Sequence, residues 1–458
     1  MGNNRAKKGE TSVIEIKNHQ TSFPKLLTMG FIVIILVGTG LLMLPLSTRG
    51  QRASLITALF TSTSATCVTG LSLVDTARYW TPFGQVVIAV LMELGGLGFM
   101  TFAVMASMLI RKRVRMSTRI LAQEALNLDH LSQLRVVGLI IQLSLIIQAV
   151  GALLLWCDFG PRYGFFKGLW LSIFHAISVF CNAGFDLFGN SLVNFREDPY
   201  VLIVMALLII AGSFGFLVWE DLLTLRKHRQ MSLHTHLALR TGLVLTIGSV
   251  IIYLLTEQNL HQFAGQMNGF NRFVNTVFMA ITPRTAGMTT FSYTQLSTAG
   301  VALTILLMFI GGTPGSTAGG IKTTTVGLLA LQTLATLRGK NEPTLAHRRF
   351  AQDNVHRALS LVFISLVILS GAIFLLAETQ PLPTHDALSM ITFEAVSAFG
   401  TTGISLGLTS RFNVLGKLIL IALMFIGRVG IYTVMFSVFN ARPTRQTYRY
   451  PKERVLIG

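Results

Sequence analysis

The sequence predicts an all-α membrane protein made of four helix–pore loop–helix repeats, with eight transmembrane helices and four re-entrant loops set in pseudo-fourfold symmetry around a central pore. Three observations predict it. Of 458 residues, 52% are hydrophobic and 12% charged, and the mean hydropathy is +0.62, the composition of a chain whose main solvent is the bilayer. Four runs at intervals of 114, 103 and 116 residues end alike, in a short polar stretch closing on glycine: Phe60–Gly70 (FTSTSATCVTG), Phe174–Gly184 (FHAISVFCNAG), Phe278–Gly287 (FMAITPRTAG) and Phe393–Gly403 (FEAVSAFGTTG). Finally, Lys and Arg collect in alternate connecting segments.

A membrane helix needs about 20 mostly apolar residues. The expected spans are 26–46 and 83–110 in repeat 1 (26–110), then 136–157 and 200–223 in repeat 2 with its preceding cytoplasmic loop (111–230). Repeat 3 (231–340) carries 237–256 and 298–330, and repeat 4 (341–440) carries 357–377 and 414–439. Tails at 1–25 and 441–458 flank them. Between the two spans of each repeat lies a half-polar segment, too short to cross alone, that enters and returns. The periodicity extends further: Gly98, Gly215, Gly315 and Gly430 follow the run-ending glycines by 28, 31, 28 and 27 residues. Regular internal spacing of this kind is the signature of a repeated architecture.

Basic residues set the orientation, since Lys and Arg of short loops remain on the cytoplasmic side. Of 37, five lie in 1–25, six in 111–135 (including RKRVR at 111–115), four in 226–240, five in 338–357 and five in 442–454. Both termini are therefore expected in the cytoplasm, and the net charge of +18 forms an inner basic rim. Without a soluble domain to carry a binding face, that charge does not indicate nucleic acid. The amino-terminal 25 residues are polar and lack a secretory core and cleavage site. Cys67, Cys157 and Cys181 show neither disulfide nor metal spacing. No phosphate-cradling glycine motif appears, and the scattered intramembrane ionisable residues do not form an enzyme site, so neither catalytic nor cofactor-binding residues are expected.

Irregular backbone survives at membrane depth only where protein or water satisfies it, so the four runs should line an aqueous path. The expected filter consists of Thr66, Cys67, Val68, Thr69 and Gly70; Cys181, Asn182, Ala183 and Gly184; Thr285, Ala286 and Gly287; and Gly400, Thr401, Thr402 and Gly403. These side chains are mostly small or weakly polar, which leaves backbone carbonyls to face the axis, and a ring of such oxygens replaces the hydration shell of a monovalent cation. Glycine at the end of each run reaches positive φ without a Cβ penalty. The preceding segment reads as a pore helix whose negative C-terminal end points toward the cation.

Within the sixth span, GGTPGSTAGGIKTTT (311–325) cannot hold a regular helix, because Pro314 and its glycines break it. The candidate gate is Gly311, Gly312, Gly315, Ser316, Thr317, Gly319 and Gly320, with the intramembrane cations Lys322 and Arg428. The alternative for the glycines is close helix contact. A charge at membrane depth is costly unless it faces a cavity or partner. Arg428 either contacts the broken stretch as an electrostatic barrier or pairs with Glu93 or Glu220, while Lys322 has the length to reach the cytoplasmic interface. Arg284, just before a filter, should turn away and bond behind it. Glu394 is expected at the outer end of its pore helix, and His175 receives no role.

Taken together, the four runs, RTAG at 284–287, the glycine-rich stretch at 311–325 and Arg428 resemble the Trk/Ktr/HKT superfamily of potassium transporters, over nearly the whole chain from about residue 25. The lack of two additional N-terminal spans and the tail YPKERVLIG (450–458) resemble the bacterial Ktr-type membrane subunit. The resemblance implies potassium uptake across the bacterial cytoplasmic (inner) membrane, with K+ as the transported ion and Na+ as activator or coupling ion. No organic cofactor in this chain is implied. It further implies that 311–320 is the gating loop, that the membrane unit is a homodimer, and that a cytosolic ring of nucleotide-binding regulatory subunits of RCK/KTN type docks on the basic inner face. In plant relatives a serine in place of the first filter glycine favours sodium; Gly70 at that position implies potassium.

Overall fold

Helix starts in this chain are set by capping side chains. Each helix that follows a glycine-ended run opens this way: Thr81 accepts from Gly84 N, Asp198 from Tyr200 N and Val201 N, Ser297 from Gly300 N, and Asn413 from Gly416 N. Pro82 and Pro199 occupy the first turn in two of them, where no intrahelical N–H is needed. These caps satisfy donors that the helix itself leaves open.

The computed structural model describes residues 23–98, 134–228, 231–257, 267–340, 342–380 and 386–439. Most of the expected N-terminal tail, the C-terminal tail, the last part (99–110) of the 83–110 span and the RKRVR run lie outside the described residues. The chain is helical, and among the described residues the strands are one short pair, Thr344–Leu345 with Arg348–Arg349.

The same order of elements recurs around each run. A leading helix (Phe23–Leu42, Leu134–Tyr163, Leu233–Thr256, Gln352–Thr379) is followed by a short helix (Leu55–Thr66, Phe165–Phe180, Gly269–Ile281, Ala387–Gly400) and the glycine-ended run. A capped trailing helix closes the set: Pro82–Leu97, Pro199–Ser213, Thr298–Phe309 and Val414–Val429. Ile141–Tyr163, Leu233–Thr256 and Gln352–Thr379 are long and apolar enough to cross a membrane, and Pro199–Ser213 with Phe216–Leu225 is a fourth candidate, bent by 98°. Leading helices turn apolar side chains outward, among them Leu36, Leu243 and Phe363, as a lipid-facing surface requires. The phenylalanines that open the four runs, Phe60, Phe174, Phe278 and Phe393, are at most 1% exposed and fix the short helices inside the bundle.

Only the third trailing helix is expected to break, yet the other three also end or bend at their glycines. Gly98 and Gly430 end helices at φ +83° and +92°, a region closed to most other residues. The second trailing helix bends at 214–215, and the third is interrupted from 310 until Thr323–Leu337 resumes. The physical reason lies three residues earlier. A Cβ on Gly95, Gly212 or Gly427 would overlap the carbonyl oxygen of Thr66, Phe180 or Phe399 respectively. Three of the four trailing helices thus meet the C-terminal end of their short helix backbone to backbone just before the glycine at which they end or bend, so close contact and breakage coexist in one G-x-x-G element.

Candidate ion filter and intramembrane loop

Short-helix hydroxyls and carbonyls hold the runs from behind. Thr69 N donates to Ser64 O (2.8 Å), Ala183 N to Ser178 O (2.7 Å) and Thr402 N to Ser397 O (2.9 Å). Ser178 Oγ donates to Phe185 O (2.7 Å), and Thr282 Oγ1 to Met288 O (2.6 Å), just beyond the glycine in each case. With N–H groups turned back into the short helices, the runs retain carbonyl oxygens for other uses. Val68, Asn182 and Thr401 adopt φ of 57°, 59° and 51° two positions before the glycines, whose own φ values are 88° (Gly70), 69° (Gly184), 72° (Gly287) and 87° (Gly403). The third run departs from this pattern: Thr285 is extended at φ 172°, because Pro283 sits in a 3-10 turn, Thr282–Arg284, immediately before it.

The four runs meet in a closed circuit. A Cβ on Gly70 would stand 2.5 Å from Ala183 O, and one on Gly184 would stand 3.0 Å from Ala286 O. A Cβ on Gly287 would overlap Thr402 O, and one on Gly403 would overlap Thr69 O. The carbonyl preceding each glycine therefore abuts the glycine of the neighbouring run, and the fourth contact returns to the first. Thr66, Thr69 and Thr401 add buried hydroxyls without a protein hydrogen-bond partner. Cys181 turns away from this circuit, its Sγ 3.2 Å from Glu93 Oε2, and Cys67 is buried.

On one side of the circuit lies a polar cavity of about 330 Å³, bordered by Gly70, Gly184, Asp75, Asp186 and Ser410. Asp186 accepts from Phe188 N (2.9 Å) and Gly189 N (2.6 Å). Burial, reinforced by nearby Asp75, holds the Asp186 carboxyl above the usual carboxylate range against those donors.

On the other side sits the interrupted segment. Thr317 Oγ1 lies 3.1 Å from Phe180 O and 2.9 Å from Gly212 O, and Asn182 Nδ2 donates to it at 2.7 Å. Gly319 packs on Thr401 and Gly320 on Gly400, so the segment touches the second and fourth runs. Gly311 N donates to Ile321 O (2.8 Å) and Thr323 N to Gly312 O (3.0 Å), closing the loop at its base. Ser316 Oγ bonds Thr313 O within it (2.6 Å), and Phe216 N donates to Gly315 O (3.0 Å).

Arg428 donates to Thr317 O and to the carbonyls of Gly95 and Gly96, the last at 2.8 Å. Glu93 is engaged elsewhere, with Gln148 Nε2 at 3.1 Å as well as Cys181. Lys322 folds back, Nζ to Ala318 O at 2.5 Å, rather than reaching for the cytoplasmic interface. Arg284 Nη1 donates to Gly242 O (3.3 Å) on the third leading helix.

Two residues matter in ways the sequence did not disclose. Glu394 is not at a water-facing helix end; it is fully buried and accepts from Ser405 Oγ (2.6 Å), Leu406 N (3.0 Å), Leu408 N (3.3 Å) and Thr409 Oγ1 (2.5 Å). His175, also fully buried, places Nδ1 2.7 Å from Leu171 O and accepts from Leu187 N at Nε2 (3.3 Å), with Phe188 stacked 4.3 Å away. Its proton must therefore sit on Nδ1. Both side chains pin the segment that leaves a run, and both directly follow the phenylalanine that opens it, a shared position that repeat alignment exposes.

Residues 16–448 match the TrkH family, described as a cation transport protein. The chain is 44% identical over 438 residues to the potassium/sodium uptake protein NtpJ of Enterococcus hirae, covering 95% of this chain and 97% of that one. It is 40% identical over 438 residues to Ktr system potassium uptake protein B of Bacillus subtilis, covering 95% and 96%. The fold resembles the solved potassium transporter TrkH from Vibrio parahaemolyticus at a TM-score of 0.71 and 17% identity, over 93% of this chain and 86% of that one. These relatives are ion transporters rather than enzymes. A match across nearly the whole length, joined to four glycine-ended runs that meet in a circuit, means that this chain belongs to the TrkH family of cation transport proteins and stands with its Ktr-type members.

Proposed function

We propose that this protein takes up potassium across the bacterial cytoplasmic membrane through a filter formed by its four runs in pseudo-fourfold array, eight helices crossing and four loops re-entering. The closed circuit of carbonyls and glycines carries this reading. Oxygens converging from four directions replace the water around a dehydrated alkali ion, and their number and field favour the larger one. The polar cavity with Asp75 and Asp186 serves as the outer mouth, and both termini are cytoplasmic. The 311–320 loop is the gate, held beneath the filter by Thr317 and Arg428 and withdrawn when a cytosolic nucleotide-binding ring pulls on the inner face of a membrane homodimer. The Ktr-system name of one relative favours a separate regulatory component. Sodium stimulates uptake, as the potassium/sodium name of the other favours.

Rubidium flux in proteoliposomes tests the reading. Flux should be saturable, prefer potassium over sodium in competition, and rise when sodium and the regulatory ring are added. Equal competition by sodium and potassium would overturn the filter assignment.

A further inference from the structure

Behind the loop, on the side away from the filter, lies a second cavity of about 330 Å³ between the second trailing helix and the third leading helix. Its two ends differ in chemistry. Phe214, Leu239 and Leu243 form an apolar mouth, and Leu243 is 61% exposed on a helix long and apolar enough to cross the membrane, so the mouth opens to lipid. Arg284, Thr313 and Thr323 form the inner end. There, Arg284 Nε and Thr323 Oγ1 are buried without a hydrogen-bond partner. Among the described residues no carboxylate pairs with Arg284, which donates to Gly242 O through Nη1. Gly242 lies roughly 14 Å along its helix from the cytoplasmic end, well within the hydrocarbon.

A guanidinium at that depth without a counter-ion is costly, and buried donors left open mark the place of an absent partner. An acyl chain alone leaves both unanswered, and a free inorganic anion has no use for the apolar mouth. We propose that the cavity binds a single-chain carboxylate amphiphile of the fatty-acid class, its head at Arg284 and Thr323 and its chain leaving past Leu243 into the bilayer. Resting on the reading of 311–320 as the gate, we infer further that an occupant restrains it. Thr313, whose hydroxyl already holds Ser213 O at 3.0 Å, forms part of the cavity wall, so a filled cavity removes the space into which this end of the loop withdraws.

The test uses full-length protein in liposomes and a diazirine-bearing dodecanoate as probe. Labelling should be saturable, map by mass spectrometry to Phe214, Leu239 or Leu243, and yield to competition by dodecanoate. Methyl dodecanoate should compete about tenfold less well, since a hydrogen bond to a charged group contributes about 1.5–3 kcal/mol. Gly242→Leu fills the cavity while leaving the carbonyl that Arg284 uses, and should abolish the label; Leu239→Trp serves if that variant does not fold. Label that is unsaturable, that persists in a filled cavity, or that yields equally to the methyl ester overturns the site, and water as sole occupant of the inner end would give that result. Dodecanoate should lower rubidium flux through the unaltered protein and not through Gly242→Leu. A saturated site with unchanged flux overturns the restraint. Failure of the gate reading itself shows separately, as unchanged flux in Arg428→Gln without amphiphile.

Discussion

Replacing Arg428 by Gln examines the coupling between loop and scaffold. The guanidinium spans from Thr317 O to the carbonyls of Gly95 and Gly96, a reach and a donor fork that a neutral, shorter amide cannot reproduce. The bonds to Gly95 and Gly96 tie trailing helices together and persist whatever the loop does. On the proposed reading of 311–320 as the gate, only the bond to Thr317 is lost on withdrawal, so it alone biases the closed state. A hydrogen bond from a charged donor contributes about 1.5–3 kcal/mol, equivalent to roughly 10- to 150-fold in the closed-to-open ratio. Removal of a fixed positive charge below the filter acts in the same direction. Rubidium uptake into liposomes without the regulatory ring should therefore rise by about tenfold or more, until the open state dominates. Arg428→Lys keeps the charge but not the fork and should fall between the two. A well-folded Arg428→Gln protein with unchanged maximal uptake would refute the tether and the barrier together.

Gly70→Ser places a Cβ against Ala183 O and Gly184 Cα at φ +88°. The left-handed backbone alone costs about 1–2 kcal/mol, so potassium-over-sodium preference in competitive flux should fall by about tenfold; unaltered preference would remove the first run from the filter. His175→Phe retains the ring but strips the acceptor from Leu187 N, a loss of about 1–3 kcal/mol. The detergent-solubilised protein should melt earlier, and the stabilisation afforded by added potassium should shrink; an unchanged melt would show the bond to be dispensable. Asp186, with its pKa raised, loses charge sooner than an ordinary aspartate as external pH falls. Uptake at limiting potassium should begin to decline at a higher external pH than titration of an ordinary aspartate would give, and Asp186→Asn should flatten that profile; a flat profile in the unaltered protein would count against the acidic mouth.

The fold was legible where a physical demand leaves few residue choices. A turn at positive φ or a close backbone approach demands glycine, so the glycines that end the four runs stood out by spacing and type. What escaped reading depends on partners distant in sequence. Whether Glu394 faces water or four donors is decided by Ser405, Leu406, Leu408 and Thr409, and its own neighbours carry no sign of that. His175 was silent for the same reason. The helix ends at Gly98 and Gly430 and the bend at Gly215 were missed because one glycine within an apolar stretch is compatible with a straight helix. The third break could be read because Pro314 accompanies its glycines. Both outcomes foreseen for Arg428 were open from sequence, and only three carbonyls on two other segments distinguish between them.

The circuit of runs has a sense of rotation: Gly70 rests on Ala183, Gly184 on Ala286, Gly287 on Thr402, and Gly403 on Thr69. Within a single polypeptide these teeth need not be identical, and the run bearing Pro283 already is not. A lesion in one should hand its distortion onward in that direction, so paired substitutions at consecutive teeth ought to be less than additive, whereas opposite ones sum. Duplication and divergence can consequently tune each quadrant of the wheel separately, a freedom denied to any assembly of identical subunits.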